Sequence, residues 1–263
     1  MRDGASRLGT GERRILAPGP RLAAITDVGL VRANNEDDFH LTPDGSLLAV
    51  ADGLGGLPAG EIASTTAIMA IAECIWTDAA SVTSEAQART LLIEAFAVAN
   101  ADILAKAAAD PYCRGMATTL VVAIVAGATM YVSHIGDVRA YLYRTAGRLD
   151  LLTDDHTVAW ELVEAGKLSR EEARHHPNRN ALTRVLGLND VIEPSFSWHE
   201  LAPGDSILLC SDGVWEPVGS DEIAKQIADT SRDAESVVSG LVDLALARGG
   251  PDNATIVLER CGS

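Results

Sequence analysis

Short apolar runs that stop abruptly at aspartate and glycine dominate the pattern of this chain. Leu47–Ala51 is uninterruptedly apolar, and Asp52-Gly53 follows at once. A run of that length bounded by turn residues predicts a buried strand. The same reading predicts strands over Arg21–Thr26, Thr118–Ala126, Met130–Ile135, Val138–Arg144, Ser206–Cys210 and Ala254–Glu259. Gly127-Ala128 and Gly136-Asp137 join three of these, so 118–144 reads as an antiparallel meander. Helical spacing fills the gaps. Ile62–Trp76 is apolar nearly all round, as suits a buried helix, and 85–109 sets Leu92, Phe96, Ala99 and Ile103 on one face. Asp154-Asp155-His156 caps a predicted helix over 157–166. Further helices are predicted over 221–229 and 233–248, the second turning Val237, Leu241, Leu244 and Ala245 to the core. Residues 1–20, rich in Gly, Arg and Pro and without periodicity, read as a flexible tail. No linker or repeat interrupts 21–260, which reads as one domain.

The strand ends carry the candidate chemistry. Asp52, Asp137, Asp212 and Asp252 each lie at a strand boundary, with Gly53, Gly136, Gly213 and Pro251 beside them. A carboxylate in such a place is held by the sheet yet exposed at its rim. Glycine lets the main chain approach a ligand closely, so Gly53 can offer its carbonyl oxygen. Just before the Asp52 strand comes Asn34-Asn35-Glu36-Asp37-Asp38, and a hairpin would bring Glu36 and Asp37 to the same rim. Two familiar glycine motifs are excluded. Pro58 occupies the last glycine position of a dinucleotide loop, and Leu168 follows the only Gly-Lys pair where a P-loop needs Ser or Thr.

Charge narrows the choice. Lys+Arg 21 against Asp+Glu 37 gives a net −16 over 263 residues, which argues against a nucleic-acid or anionic-membrane partner. Against that background 167–184 is the one local positive patch, with Lys167, Arg170, Arg174, Arg179 and Arg184. Cys74, Cys113, Cys210 and Cys261 form no C-x-x-C pair and read as reduced thiols of a cytoplasmic protein. The first 20 residues lack the apolar core of a secretory signal, and no apolar run reaches the ~18 residues of a membrane span.

Gathered carboxylates resist joint ionisation unless a counter-charge is supplied. Oxygen-only ligation without His or Cys favours Mg²⁺ or Mn²⁺ over zinc. Two such ions can bridge a water and generate hydroxide at neutral pH, which suits in-line hydrolysis of phosphate esters. The residues alone therefore predict a two-metal phosphoester hydrolase.

Seven segments in order then carry a resemblance. They are G-L-V-R-A-N-N-E-D (29–37), A-V-A-D-G-L-G-G (49–56) with A-G-E (59–61), G-M-A-T-T-L (115–120), H-I-G-D-V-R (134–139), L-T-D-D-H-T (152–157), L-L-C-S-D-G (208–213) and G-G-P-D-N-A-T (249–255). The chain resembles the metal-dependent serine/threonine protein phosphatases of type 2C, in their bacterial form. The resemblance implies an α/β (α+β) fold, a four-layer α-β-β-α sandwich of two antiparallel sheets, with a flap over roughly 154–187 beside the cleft. It implies that Asp52 bridges two Mn²⁺ or Mg²⁺ ions, that the Gly53 carbonyl binds one, and that Asp212 and Asp252 complete the other. Asp137 would hold a third, weaker ion, with Glu36 and Asp37 in an outer layer around bound waters. Arg32 would clamp the substrate phosphate. The implied protein is a cytoplasmic monomer acting on phosphorylated proteins and opposing a Ser/Thr protein kinase.

Two departures stand out. The usual Gly-Asp-Ser-Arg is Gly136-Asp137-Val138-Arg139 here, which keeps the carboxylate and loses a hydroxyl. Leu54 stands where eukaryotic relatives carry a histidine, so the general acid is open, with His134 and His156 candidates by residue type. Two rival readings stay in view: a catalytically silent binding module on the same fold, and a hydrolase of small phosphate esters or phospholipids.

Overall fold

The computed structural model describes residues 13–54, 59–76 and 78–262. Residues 1–12, and Gly55 and Gly56 of the second motif, lie outside them. Strands β1 (Arg14–Gly19), β2 (Leu22–Asp27), β3 (Asp37–Leu41) and β4 (Leu47–Asp52) come first, then helices α1 (Gly60–Ile75) and α2 (Glu85–Ala109). Next are β5 (Leu120–Ala126), β6 (Thr129–Ile135), β7 (Arg139–Tyr143), β8 (Leu149–Leu151), α3 (Val158–Glu164) and α4 (Arg170–Arg174). The chain finishes with β9 (Ser195–Glu200), β10 (Ser206–Cys210), α5 (Asp212–Trp215), α6 (Ser220–Ala228), α7 (Ala234–Ala247) and β11 (Ala254–Arg260). One antiparallel sheet has the order β1-β2-β11-β10-β7-β8, the other β3-β4-β5-β6-β9.

The uninterrupted apolar strands follow from packing on both faces. Between the sheets, Leu48 and Val50 of β4 and Val121 and Ala123 of β5 meet Ala24 of β2, Ile207 and Leu209 of β10 and Val257 of β11. The alternate residues turn outward. Leu47, Ala49 and Ala51 pack with α1 and α2, where Leu92, Phe96, Ala99 and Ile103 are fully buried. On the far side Ile25, Leu208, Cys210 and Ile256 pack under α6 and α7, including Val237, Leu241 and Ala245. Three apolar layers therefore separate four layers of secondary structure, α-β-β-α. Caps fix the helix starts: the Ser84 hydroxyl accepts the Gln87 N–H at the head of α2, and Asp233 does the same for Ser236 in α7.

The structure corrects three expectations. The segment read as a tail up to residue 20 contains β1, an edge strand paired with β2 over Arg14↔Thr26 to Gly19↔Leu22. Its side chains are largely exposed, so no hydrophobic alternation announces it. The meander over 118–144 breaks at Gly136 (φ 98), where the chain crosses between layers. β6 pairs with β5 and β9, whereas β7 pairs with β10 and β8 in the other sheet. Three similar apolar runs do not reveal which sheet each joins. Nor is α1 buried all round: Met69 is exposed, as is Trp76 just past its end.

Candidate active site

Backbone pairing brings the carboxylates to one end of the sandwich. Asp37 opens β3 and Asp52 closes β4, and the hairpin register sets them opposite each other. The Asp52 carbonyl accepts the Thr119 N–H at 2.8 Å and the Thr118 hydroxyl at 2.8 Å, so its Cα is fixed from the β5 side too. Behind it Gly53 is packed so tightly that a Cβ would lie 2.3 Å from the Gly60 carbonyl oxygen. Asp212 starts the single turn of α5. The preceding Ser211 donates its hydroxyl to Asp37 Oδ2 at 2.7 Å and accepts the Thr255 N–H at 3.0 Å, tying three elements together.

Asp252 sits two residues before β11 and accepts from Arg32 Nη2 at 2.6 Å. Asn253 then staples the 28–36 loop to β11. Its Oδ1 accepts the Glu36 N–H at 2.8 Å, and its Nδ2 donates to the carbonyls of Val28 and Asn34, each at 2.9 Å. Asp137 is buried between β6 and β7, with its carbonyl accepting the Trp215 indole N–H at 3.0 Å.

Burial and mutual proximity shift most of these carboxyls in one direction. Burial, then Asp37, Asp212, Asp137 and Asp252, push the Asp52 carboxyl well above the usual range. Burial followed by Asp137 and Asp252 does the same to Asp212. Burial pushes Asp37 up to about 7, against hydrogen bonds that favour its charged form. Asp137 also rises to about 7, through burial and then the nearby Asp155. Glu36 rises through burial and the charge of Glu61. Asp37 Oδ1 and Asp212 Oδ1 are buried without a hydrogen-bond partner. Arg139 partly offsets the rise at Asp137 but is not among the groups acting on Asp37 or Asp212. It is spent on Asp155, with bonds of 2.9 and 2.7 Å, and lies 3.4 Å above the Trp215 ring.

Unpartnered carboxylate oxygens among groups whose pKa values are raised by burial and by neighbouring carboxylates fit hard divalent cations. Among the described residues no three Asp, Glu, His or Cys side chains close into a ready-made cage. Mg²⁺ needs no such cage, since it keeps several waters and takes only one or two carboxylates from the protein.

A stability test follows from the sign of these shifts. Carboxyls raised from about 4 to about 7 in the fold bind more protons folded than unfolded across that window. Their contribution is fully present below about pH 4 and is lost as the pH rises through 7. Metal-free protein should therefore melt at a lower temperature at pH 8 than at pH 5, and excess Mn²⁺ should shrink the difference. A metal-free melting temperature that rises from pH 5 to 8 would contradict this.

The sequence-predicted residues thus fall into three groups. Asp37, Asp52, Asp137, Asp212 and Asp252 act on one another electrostatically, and Arg32 and Glu36 stand at their rim. His134, near the end of β6, and His156, near the start of the 154–187 segment, are instead stacked on each other, 4.6 Å between centroids. The basic patch lines one wall of a cleft of about 1150 Å³, where Trp160, Arg170, Arg174 and Arg179 face Trp215, Glu216 and Pro217, with Pro251 at the edge toward Asp252. Ser211, Asn253, Thr118 and Thr119 were not singled out from the sequence. All four lie inside the quoted motifs, and their signal is a small polar residue at the buried end of an apolar strand.

Comparison with known proteins agrees with this geometry. Residues 31–244 match the protein phosphatase 2C family. The chain is 41% identical over 240 residues to the serine/threonine protein phosphatase PstP of Mycobacterium tuberculosis, covering 90% of this chain and 44% of PstP. It spans less than half the length of that relative. It is 32% identical over 236 residues to the serine/threonine phosphatase Stp of Listeria monocytogenes, covering 89% of this chain and 92% of Stp. The crystal structure of the PstP catalytic domain in complex with 2 manganese ions superposes with a TM-score of 0.79 at 35% identity, covering 95% of this chain and 99% of that one. By motif, topology and descent, the chain belongs to the protein phosphatase 2C family.

Proposed function

We propose that this chain hydrolyses phosphoserine and phosphothreonine esters of proteins with two Mn²⁺ or Mg²⁺ ions. The observation that carries the reading is the set of mutually repelling aspartates from separate strand ends, two with orphaned buried oxygens, beside one arginine. Asp52, Asp212 and Asp252 with the Gly53 carbonyl would hold the two ions, Asp137 a third, and Glu36 and Asp37 the surrounding waters. When bound, the ions lower the pKa of water and neutralise phosphate charge. Manganese in the PstP catalytic domain supports the choice of metal. The protein should release phosphate from phosphopeptides with Mn²⁺ and lose this with a chelator. Release that survives chelation, or activity confined to small esters and phospholipids, would overturn the assignment.

The chain's own groups divide the remaining work. Arg32 offers a planar fork for the phosphate oxygens, and Asp252 orients it. Arg32→Ala should raise KM for a phosphopeptide about tenfold or more, the range of a hydrogen bond to a charged group, while kcat changes less. An unchanged KM would remove Arg32 from phosphate binding.

The 154–187 segment serves as a flap in this reading. Part of its charge is already answered: Arg179 pairs with Glu216 at 3.3 Å and Arg174 with Glu171 at 3.3 Å. If Arg170, Arg174 and Arg179 draw in substrate, kcat/KM should fall with ionic strength more steeply for acidic phosphopeptides than for neutral ones. Reversing two of these charges should erase the difference. Equal salt responses in the wild type would leave the patch a solvated face. Phosphoproteins of a Ser/Thr protein kinase are the proposed physiological substrates, and the cytoplasm the proposed location. No described helix is long and apolar enough to cross a membrane.

A further inference from the structure

Leu30 and Val31 immediately precede Arg32, and they are 67% and 70% exposed. Large apolar side chains standing singly in water are ordinary. Two in succession at the mouth of a charged site, on a loop held rigid beneath them, are a built surface. The Leu30 N–H donates to the Gly250 carbonyl at 2.8 Å, and the Gly29 N–H to Asp27 Oδ1 at 2.9 Å. Gly29 adopts φ 79 and lies so close to the neighbouring loop that a Cβ there would meet the Asp252 carbonyl oxygen at 2.3 Å. Arg32 and the Asn34 carbonyl anchor the other end, through Asp252 and Asn253. The loop is thus tied on both sides while its apolar side chains face solvent. Exposed Pro251, beside Asp252, extends this surface toward the cleft.

We propose that Leu30 and Val31 form an apolar ledge that selects phosphoproteins with an aliphatic residue next to the phosphorylated one. The inference rests on the phosphoprotein reading and deepens it. Consecutive Cα atoms are about 3.8 Å apart, so the ledge begins one residue from the phosphate-binding arginine and spans two. An extended substrate advances about 3.3 Å per residue, so a side chain one or two residues from a phosphate held at Arg32 is within reach of Leu30 and Val31. Covering them removes apolar area from water, and a peptide with Ser or Gln in that place gains nothing there. The occupant is therefore an aliphatic side chain of the substrate itself, continuous with the phosphate held at Arg32.

The test compares two phosphothreonine peptides that differ only in flanking residues, Val and Leu in one, Ser and Gln in the other. The protein is assayed with Mn²⁺, and p-nitrophenyl phosphate serves as a substrate without flanks. Wild type should favour the aliphatic peptide by about tenfold in kcat/KM, the usual worth of a small apolar difference in a contact, expressed in KM. Leu30→Ser with Val31→Ser should remove the preference, whereas Val191→Ser, at an 80% exposed site outside the cleft lining, should keep it. Equal wild-type rates for both peptides overturn the ledge and leave the phosphatase reading standing. A preference that survives the double substitution assigns selection to another surface and also overturns it. Hydrolysis of the small ester with neither peptide accepted removes the phosphoprotein reading and the ledge together. Self-association in sedimentation velocity that the double substitution abolishes would make this face a contact between copies, which likewise sinks the proposal.

Discussion

Asp52→Asn is expected to lower kcat by at least about a thousandfold, because it removes the carboxylate toward which the other acids converge. Loss of a single preorganised electrostatic group typically costs about 10²–10³ in rate, and Asp52 is proposed to touch both ions. The substitution keeps side-chain size, and the main-chain bonds that fix residue 52 to Thr118 and Thr119 do not involve the carboxylate. The fold should survive. A second readout separates lost chemistry from lost structure. Asp37, Asp212, Asp137 and Asp252 all push against the Asp52 charge, so the neutral amide should raise the melting temperature of metal-free protein. At Mn²⁺ a hundredfold above its Kd, binding stabilises the native state by about 2.7 kcal/mol per site. For a domain of this size that is roughly 5–10 °C, and the variant should lose most of it. A variant that keeps more than a tenth of wild-type turnover at saturating Mn²⁺ would strip Asp52 of its bridging role.

The acidic rim was legible because each aspartate follows or precedes an apolar run that could only be a strand. Position along the chain then fixed position in space: β3 and β4 form a hairpin, so Asp37 had to reach Asp52. Convergence of Asp212 and Asp252 on that pair was not legible from spacing, since it depends on β10 and β11 lying in the opposite sheet. The helices α2 and α7 were readable from period and caps. Among the strands, β3 was reached only through the hairpin, and those that escaped lack a buried face: β1, the three residues of β8, and β9, a half-exposed edge strand. The assignment of β7 escaped for the opposite reason. It is as apolar as β6, and the layer it joins is decided at Gly136, whose backbone conformation no hydrophobic pattern encodes.

Protonation of the leaving alkoxide carries the last large effect. Leu54 is half-buried, its N–H donates to the Ala117 carbonyl at 3.0 Å, and its side chain has no proton to give. The two histidines do not replace it. Burial, His134 and Arg184 lower His156 to about 3, so its ring is neutral at pH 7. Its Nδ1 accepts the Gly136 N–H at 3.0 Å, which leaves the ring proton on Nε2, 2.9 Å from the Ser195 hydroxyl. Burial likewise lowers His134, whose Nε2–H donates to the Asp154 carbonyl at 2.9 Å. A neutral imidazole whose N–H is already engaged is a poor general acid, and each ring is fixed by these bonds and by stacking on the other. A positioned acid is typically worth about 10²–10⁴ in rate. Without one, proton delivery should fall to water, and kcat should depend steeply on leaving-group pKa. Aryl phosphates, which depart unaided, should therefore outrun phosphoserine peptides by a larger factor than in a relative with histidine after the Asp-Gly. Leu54→His should narrow that gap. Measuring kcat across a leaving-group series for wild type, His134→Ala and His156→Ala decides the point. A flat dependence in wild type that steepens in one variant would make that histidine the acid and end the case for water.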